Sequence, residues 1–258
     1  MDQPNTQLIT RLAETEADRL GAERLRYRVF VEELGGDGPG VDHANRFERD
    51  RFDPHADHLV LIDPARDPAA LDHVVGVYRL MPGAVAERLG GFYSEGEYDL
   101  SVLKASRRNL LELGRSCLHP DYRGGTAMYQ IWNALSDYVE RRKAEVLFGV
   151  ASFHGRDPTA IAPSLSLLHH AHLAPEDLRV RAVAGAFQPM DLLPRDQIDR
   201  IAAMRAVPAL IKAYLRLGGF VGEGAYVDHQ FNTIDVCLVM DTAQMNARAR
   251  AIYGKPRP

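Results

Sequence analysis

Cysteine is scarce in this chain: 258 residues carry two, Cys117 and Cys237. Two cysteines cannot build a disulfide framework. Neither lies in a Cys-x-x-Cys or Cys/His cluster, so the sequence argues against a structural zinc site. A reducing compartment is the simplest setting. Long apolar runs are also missing. No stretch approaches the roughly 20 apolar residues of a membrane-spanning helix. Met1 to Arg11 is polar where a secretory leader would be apolar. Charge of one sign is not in excess: 31 Lys plus Arg face 35 Asp plus Glu, for a net −4. That balance gives no basis for nucleic acid as a partner. Internal repeats and low-complexity tracts are absent. What is there is 46% hydrophobic residues, in a chain long enough to bury a sizeable core.

Residues 1–14 read as a loose start. Asp18 to Glu33 predicts a helix, with Leu20, Leu25 and Val29 as a partial apolar stripe. Gly35 to Pro54 is rich in Gly, Asp, Arg and Pro and reads as a long structured loop, a kind of segment often used for function. His58 to Ile62 and Val74 to Leu80 read as strands, the second stopped by Pro82-Gly83. Residues 84–109 are mixed. Leu110 to Leu118 alternates as a strand does, and His119-Pro120 ends it. From Ala127 to Arg142, Met128, Ile131, Trp132, Leu135, Tyr138 and Val139 fall at the spacing of an amphipathic helix. Val146 to Phe153 reads as a buried strand and Pro163 to His172 as a helix. Arg195 to Leu217 predicts a helix in two pieces divided near Pro208. Phe220 to Val227 and Thr233 to Val239 read as late strands, and Ala243 to Tyr253 as a last helix. Strands lead and helices interleave, which is a mixed α/β pattern and not a pure alternating βαβ series.

The central segment carries the chemistry. On a strand, Glu112 and Gly114 share one face while Leu113 and Arg115 share the other, unless a bulge intervenes. A charge on an apolar strand needs a partner or a cleft, and Gly114 lets a ligand or another backbone come close. Taken alone, the pair is equally well a structural ion pair. Arg123-Gly124-Gly125-Thr126 then leads into the helix at Ala127. Free N–H groups at a helix N-terminus, with the helix dipole, suit a phosphate, and Arg123 adds a cation. The carboxylate and the turn together are more specific than either alone.

This arrangement resembles the central motif of the acetyltransferase-like (GNAT-like) superfamily. There, a strand supplies the general base and the Arg/Gly-rich turn holds the phosphate of a pantetheine carrier. The superfamily turn has Gly where this chain has Thr126, and Gly or Ala where it has Met128. The departure favours a donor with a single phosphodiester, acyl carrier protein, over coenzyme A. Arg26-Tyr27-Arg28-Val29-Phe30, Asp50-Arg51-Phe52-Asp53, Gly76-Val77-Tyr78-Arg79-Leu80 and Glu112-Leu113-Gly114-Arg115 resemble, in order, the pattern of the acyl-homoserine lactone synthases. Gly36 stands where those enzymes carry a Trp. His58-Leu59-Val60, Ala151 to Gly155, Leu168 to Pro175, Pro208 to Gly218 and Phe231-Asn232-Thr233-Ile234-Asp235-Val236 resemble a sister family, the bacterial ornithine N-acyltransferases. The resemblance implies one α/β domain over 1–258. Its GNAT-like core would span 15–185, a mixed sheet flanked by helices, and 186–258 would add a helical elaboration and closing strands.

The implied reaction moves a 3-hydroxyacyl chain from acyl carrier protein to the α-amine of ornithine, giving lyso-ornithine lipid. Alternatives are another amine acceptor, such as another amino acid or S-adenosylmethionine, and a carrier- or membrane-binding protein without turnover. In the implied roles Glu112 is the general base. Arg26, Asp50, Asp53, Arg79 and Arg115 bind the amine substrate, and Leu118, Arg123, Gly124, Gly125 and Thr126 hold the phosphopantetheine arm. Each has a plainer reading. Glu112 and Arg115 could pair with one another, Asp50 and Asp53 could form turns in a solvated loop, and Arg26 could lie on a solvated helix face. His169, His170 and His172 lack the His-Glu-x-x-His pattern of a metal helix, and Cys117 reads as a packing residue. Lys104, Arg107 and Arg108, or Arg141 to Lys143, could steer an acidic carrier. Leu192 to Leu217 suits an anionic membrane surface or a core helix pair equally. No resident cofactor and no metal is implied, since the donor brings its own 4′-phosphopantetheine arm. The implied location is the cytoplasm, with peripheral contact on the inner face of the membrane as the alternative.

Overall fold

The computed structural model describes residues 7–124 and 126–245. Strand β1 (Ile9–Leu12) lies in the stretch read as a loose start. Helix α1 (Glu16–Arg26) opens with a capping box: the Thr15 side chain accepts from the Asp18 amide, and the Asp18 side chain accepts in return. It runs straight into a π-helical segment, Tyr27–Glu33. In the Gly/Asp-rich loop, the two-residue strands β2 (Val41–Asp42) and β3 (Phe47–Glu48) pair. Strands β4 (Asp57–Ile62) and β5 (Val74–Pro82) follow. The mixed stretch contains α2 (Gly83–Arg88), β6 (Tyr98–Asp99) and α3 (Ser101–Ala105).

Strand β7 (Leu110–Leu118) and helix α4 (Ala127–Arg142) fall where alternation and the helical period placed them. Next come β8 (Val146–His154), α5 (Ala162–His172), β9 (Arg181–Ala182) and β10 (Phe187–Gln188). The two-piece helix is α6 (Arg200–Ala206) and α7 (Ala209–Arg216). Pro208, which has no N–H to offer a continuous helix, stands at the start of the second piece. The late strands are β11 (Phe220–Val221), β12 (Ala225–Asp228) and β13 (Thr233–Asp241). Of the expected last helix, only a 3₁₀ turn at Thr242–Gln244 falls among the described residues.

The chain divides into two compact units, one of residues up to Met81 with Leu113–Lys143, the other of Pro82–Glu112 with Ala144 onward. In the first unit β1 pairs antiparallel with β4, and β4 with β5, with an irregularity at Leu61/Ile62. In the second, β7 and β8 run parallel over Leu110–Glu112, and α4 is the connection between them in the chain. The β8–β13, β13–β12 and β12–β10 ladders are antiparallel. This is the mixed sheet flanked by helices that the superfamily resemblance implies.

Burial of apolar side chains follows from the periodicities. In the first unit Ala22, Leu25 and Val29 pack on Val60, Ile62, Val74, Val77 and Cys117. Both cysteines are buried. Burial pushes the Cys117 thiol up to about 12, so it is a packing residue and not a thiolate nucleophile. Gly76 lets α4 approach β5: a Cβ there would stand 2.6 Å from Ile131 Cδ1 and 2.7 Å from Leu118 Cδ2. Gly76→Ala should therefore lower stability by about 1–3 kcal/mol through overpacking. The denaturant midpoint measures this, and an unchanged midpoint would contradict the contact.

Candidate functional site

Six charged side chains form a closed ring in the first unit. Arg26, at the end of α1, donates to Glu48 at 2.5 Å and to both oxygens of Asp53 at 2.6 and 2.8 Å. Arg79 on β5 donates to Asp53 at 3.1 Å and to Asp50 at 2.7 Å. Arg115 on β7 donates to Asp50 at 3.2 Å and closes the ring on Glu48 at 3.1 Å. Each guanidinium joins two carboxylates and each carboxylate joins two guanidiniums. The ring is electrically neutral and mostly buried: the Arg26 side chain is fully covered, and the most open members are Asp50 at 19% and Arg115 at 11% exposure. The solvated-helix reading of Arg26 is thereby overturned. The plain-turn reading of Asp50 and Asp53 is half right. They do form a turn, with the Asp50 amide donating to Asp53 and the Phe52 amide to Asp50, and the same carboxylates face the arginines.

Five of the six were legible in sequence as substrate-binding candidates, and Glu48 was not. The signal that could have found it is its spacing two residues before Asp50. In an extended segment that spacing puts both carboxylates on one side.

Arg115 adopts φ of +52°, a left-handed conformation inside a strand. A side chain held there costs about 1–3 kcal/mol and interrupts the pleat. Its ion pairs in the ring hold it in place. His58, beside the ring, donates from Nε2 to the Asp53 carbonyl at 2.9 Å, and burial keeps its pKa low, so the ring's third-party neighbour is neutral imidazole.

Burial pushes Glu48, Asp50 and Asp53 up, but the facing guanidiniums outweigh it and hold all three below the usual carboxylate range. A carboxylate whose folded pKa is depressed stabilises the fold above its unfolded pKa, near 4, and loses that contribution as pH falls. The melting temperature should therefore fall steeply as pH drops below about 4. A flat profile down to pH 3 would show that the ring adds no pH-linked stability.

Glu112 belongs to the second unit. It is buried, and its carboxylate accepts backbone hydrogen bonds from Tyr93 at 3.1 Å and Ser94 at 2.7 Å. The turn that begins at residues 119–124 is built by Arg123, whose guanidinium donates to the Leu118 carbonyl at 3.1 Å and to Glu33 at 2.5 and 2.7 Å. Gly124 takes φ of +78°. Thr126 stands at the start of α4 and makes no side-chain cap there. Gly125 lies outside the described residues.

Two of the basic patches read from the sequence are engaged with acids. Lys104 pairs with Glu95 and Arg108 with Asp241, both at 2.6 Å, and Arg142 pairs with Asp57 at 2.9 Å. The histidines of α5 form no shared ligand cluster among the described residues: His170 bonds the Leu193 carbonyl at 3.0 Å and stacks edge-on against His169. A cleft lined by His172, Arg200, Ile201, Arg205, Lys212 and Arg216 gathers positive charge around α6 and α7. Among the described residues no helix is long and apolar enough to cross a membrane.

Residues 25–133 match the model of the acetyltransferase (GNAT) domain family. The chain is 58% identical to an L-ornithine N(alpha)-acyltransferase of Rhodobacter capsulatus, over 94% of this chain and 93% of that one. It is 42% identical to an L-ornithine N(alpha)-acyltransferase of Brucella abortus, over 96% and 89% respectively. Among solved structures, it resembles FeeM, an N-acyl amino acid synthase from uncultured soil microbes, with TM-score 0.56 and 10% identity over 95% of this chain and 98% of that one. It also resembles the acyl-homoserine lactone synthase LasI, with TM-score 0.52 and 15% identity over 98% and 100%. These two likenesses concern the fold.

Proposed function

Since the chain belongs to the L-ornithine N(alpha)-acyltransferase family, we propose that it transfers a 3-hydroxyacyl chain from acyl carrier protein to the α-amine of ornithine. The observation that carries this reading is Glu112, a buried carboxylate on the central strand, pinned by two backbone amides. Those amides hold the carboxylate in a fixed place on the strand. The α-ammonium of ornithine gives up a proton to Glu112, directly or through one water. The freed nitrogen attacks the thioester carbonyl, whose oxygen is polarised by a backbone amide of β7. A C–N bond forms, the C–S bond breaks, and the carrier thiol leaves with a proton.

The pantetheine phosphate sits at the Leu118, Arg123, Gly124, Gly125 and Thr126 turn. Arg123 is 41% exposed in its pair with Glu33. An exposed pair is worth about 0–1 kcal/mol, so a phosphate replaces Glu33 at small cost. Bonding to the Leu118 carbonyl keeps the guanidinium in position meanwhile. At the open edge of the charged ring, Arg115 offers a fork to the substrate carboxylate, while Arg26, Asp50, Asp53 and Arg79 position it. The carrier, an acidic protein, docks on the basic cleft of α6 and α7, where Ile201 is 75% exposed.

Lipid mass spectrometry of cells that make this chain and 3-hydroxyacyl carrier tests the reading. N-(3-hydroxyacyl)ornithine should accumulate. Its absence, with the protein present and folded, would contradict the proposal.

A further inference from the structure

Glu97, Asp228 and Asp235 meet inside the second unit from distant points in the chain. One carboxylate oxygen from each lies within 4.8 Å of the others, and all three residues are buried. On β12 and β13, Tyr226 pairs with Asp235 and Asp228 with Thr233, so these four share one face of the sheet. Thr233 is 6% exposed, and its Oγ1 has no hydrogen-bond partner among the described residues. A buried hydroxyl left so costs about 1–3 kcal/mol. It stands directly across from Asp228 and two residues from Asp235, on the face where the carboxylates gather. Asp228 itself accepts from the neutral amides of Gln230 and Phe231, at 2.7 and 3.1 Å. A cation placed among three carboxylates this close is attracted by all of them in a low dielectric, and the Thr233 hydroxyl can accept a hydrogen bond from it.

An ammonium that donates three hydrogen bonds of about 2.8 Å at tetrahedral angles spans acceptor oxygens about 4.6 Å apart. The three oxygens lie within 4.8 Å of one another, close enough for one ammonium to reach all of them. Tyr226 borders the cluster: the residue is half-buried, and its phenol is pushed up by burial and then by Glu97, Asp228 and Asp235. Glu112 lies on the same sheet face, through Phe148 and Ser152 on β8, the latter paired with Asp235. The Cys237 thiol, on that face too, is pushed up by burial and then by Glu112 and Glu97.

We infer that Glu97, Asp228 and Asp235, with Thr233, bind the side-chain ammonium of the amine substrate and thereby direct acylation to its α-nitrogen. This rests on the acyl transfer to ornithine proposed above. Nearby carboxylates favour the charged form of an amine, and a protonated nitrogen has no lone pair with which to attack a thioester. Such surroundings are wrong for a nucleophile and right for the second nitrogen of a diamine, which must be recognised and kept from reacting.

The test compares ornithine with norvaline, which has the same carbon skeleton and no side-chain nitrogen. Full-length wild type, Asp235→Asn and Glu97→Gln are assayed by thiol release from 3-hydroxyacyl carrier, and tandem mass spectrometry separates Nα from Nδ products. Wild type should favour ornithine by about 10²-fold or more, because a site built to bind a polar group rejects the analogue that lacks it. In the variants that preference should fall at least about 10-fold, with Nδ product now detectable. The variants lie on different elements, so one that fails to fold leaves the other informative. A folded variant with the wild-type preference overturns the inference and leaves the proposed function standing. Wild type that acylates neither amino acid overturns the proposed function. A melting temperature of wild type raised by calcium or manganese, and not raised in Asp235→Asn, means that a metal ion occupies the cluster, and this also overturns the inference.

Discussion

Glu112→Gln should slow acyl transfer by about 10²-fold or more, the usual worth of a positioned general base, while KM for the acyl carrier stays near its wild-type value. Gln has the shape of Glu and cannot take the proton. The effect belongs to kcat because the α-amine is held as before and only the proton acceptor is missing. The substitution also has a structural cost. The Glu112 carboxylate accepts from both the Tyr93 and the Ser94 amides. A Gln side chain has one acceptor oxygen to offer, and its NH₂ must face an N–H. A loss of about 1–3 kcal/mol follows from the amide left without an acceptor, so rates are compared at a temperature where the variant is folded. Unchanged transfer by folded Glu112→Gln would place the base elsewhere.

Arg26→Ala should have the largest effect on stability. It removes the one fully buried guanidinium of the ring and leaves Glu48 and Asp53, 1% and 4% exposed, without three of their charge-assisted bonds. Breaking a buried ion pair on one side costs about 3–5 kcal/mol, since the remaining charge keeps its desolvation penalty. For a chain of this size that corresponds to a melting-temperature drop of roughly 6–20 °C. Calorimetry at neutral pH measures it. A drop under about 2 °C would mean that the ring is no more than a surface-like pairing. Near pH 3 the difference from wild type should shrink, because Glu48 and Asp53, each left with one guanidinium, take up a proton more readily than in the intact ring.

These outcomes also separate what the residue order reveals from what only the fold does. The strand at Leu110–Leu118 and the helix at Ala127–Arg142 were legible because local periodicity and turn chemistry agree there. So was the split of α6 from α7, since Pro208 marks it. Strand β1 was not legible. It is held by pairing with β4 some fifty residues later, and four residues alone carry no such signal. The two short helices and β6 within residues 84–109 were missed for a like reason, being too short for a period to emerge.

At the site, Arg26, Asp50, Asp53, Arg79 and Arg115 were found as a motif, but their mutual arrangement depends on two separate strands, the turn after β3 and a helix end. The left-handed turn of the chain at Arg115 breaks the alternation that a pattern reading relies on. Glu97, Asp228 and Asp235 could not be grouped from sequence at all, because 131 positions separate the first from the second and only the β12–β13 hairpin and the chain before β6 bring them together.

The central claim is that this chain joins a 3-hydroxyacyl group to the α-nitrogen of ornithine. Its most direct test is thiol release from purified 3-hydroxyacyl carrier by the purified full-length chain, with and without ornithine. Release that depends on ornithine and matches Nα-acylornithine mole for mole is the predicted result; release that ignores ornithine, or no release, would contradict it.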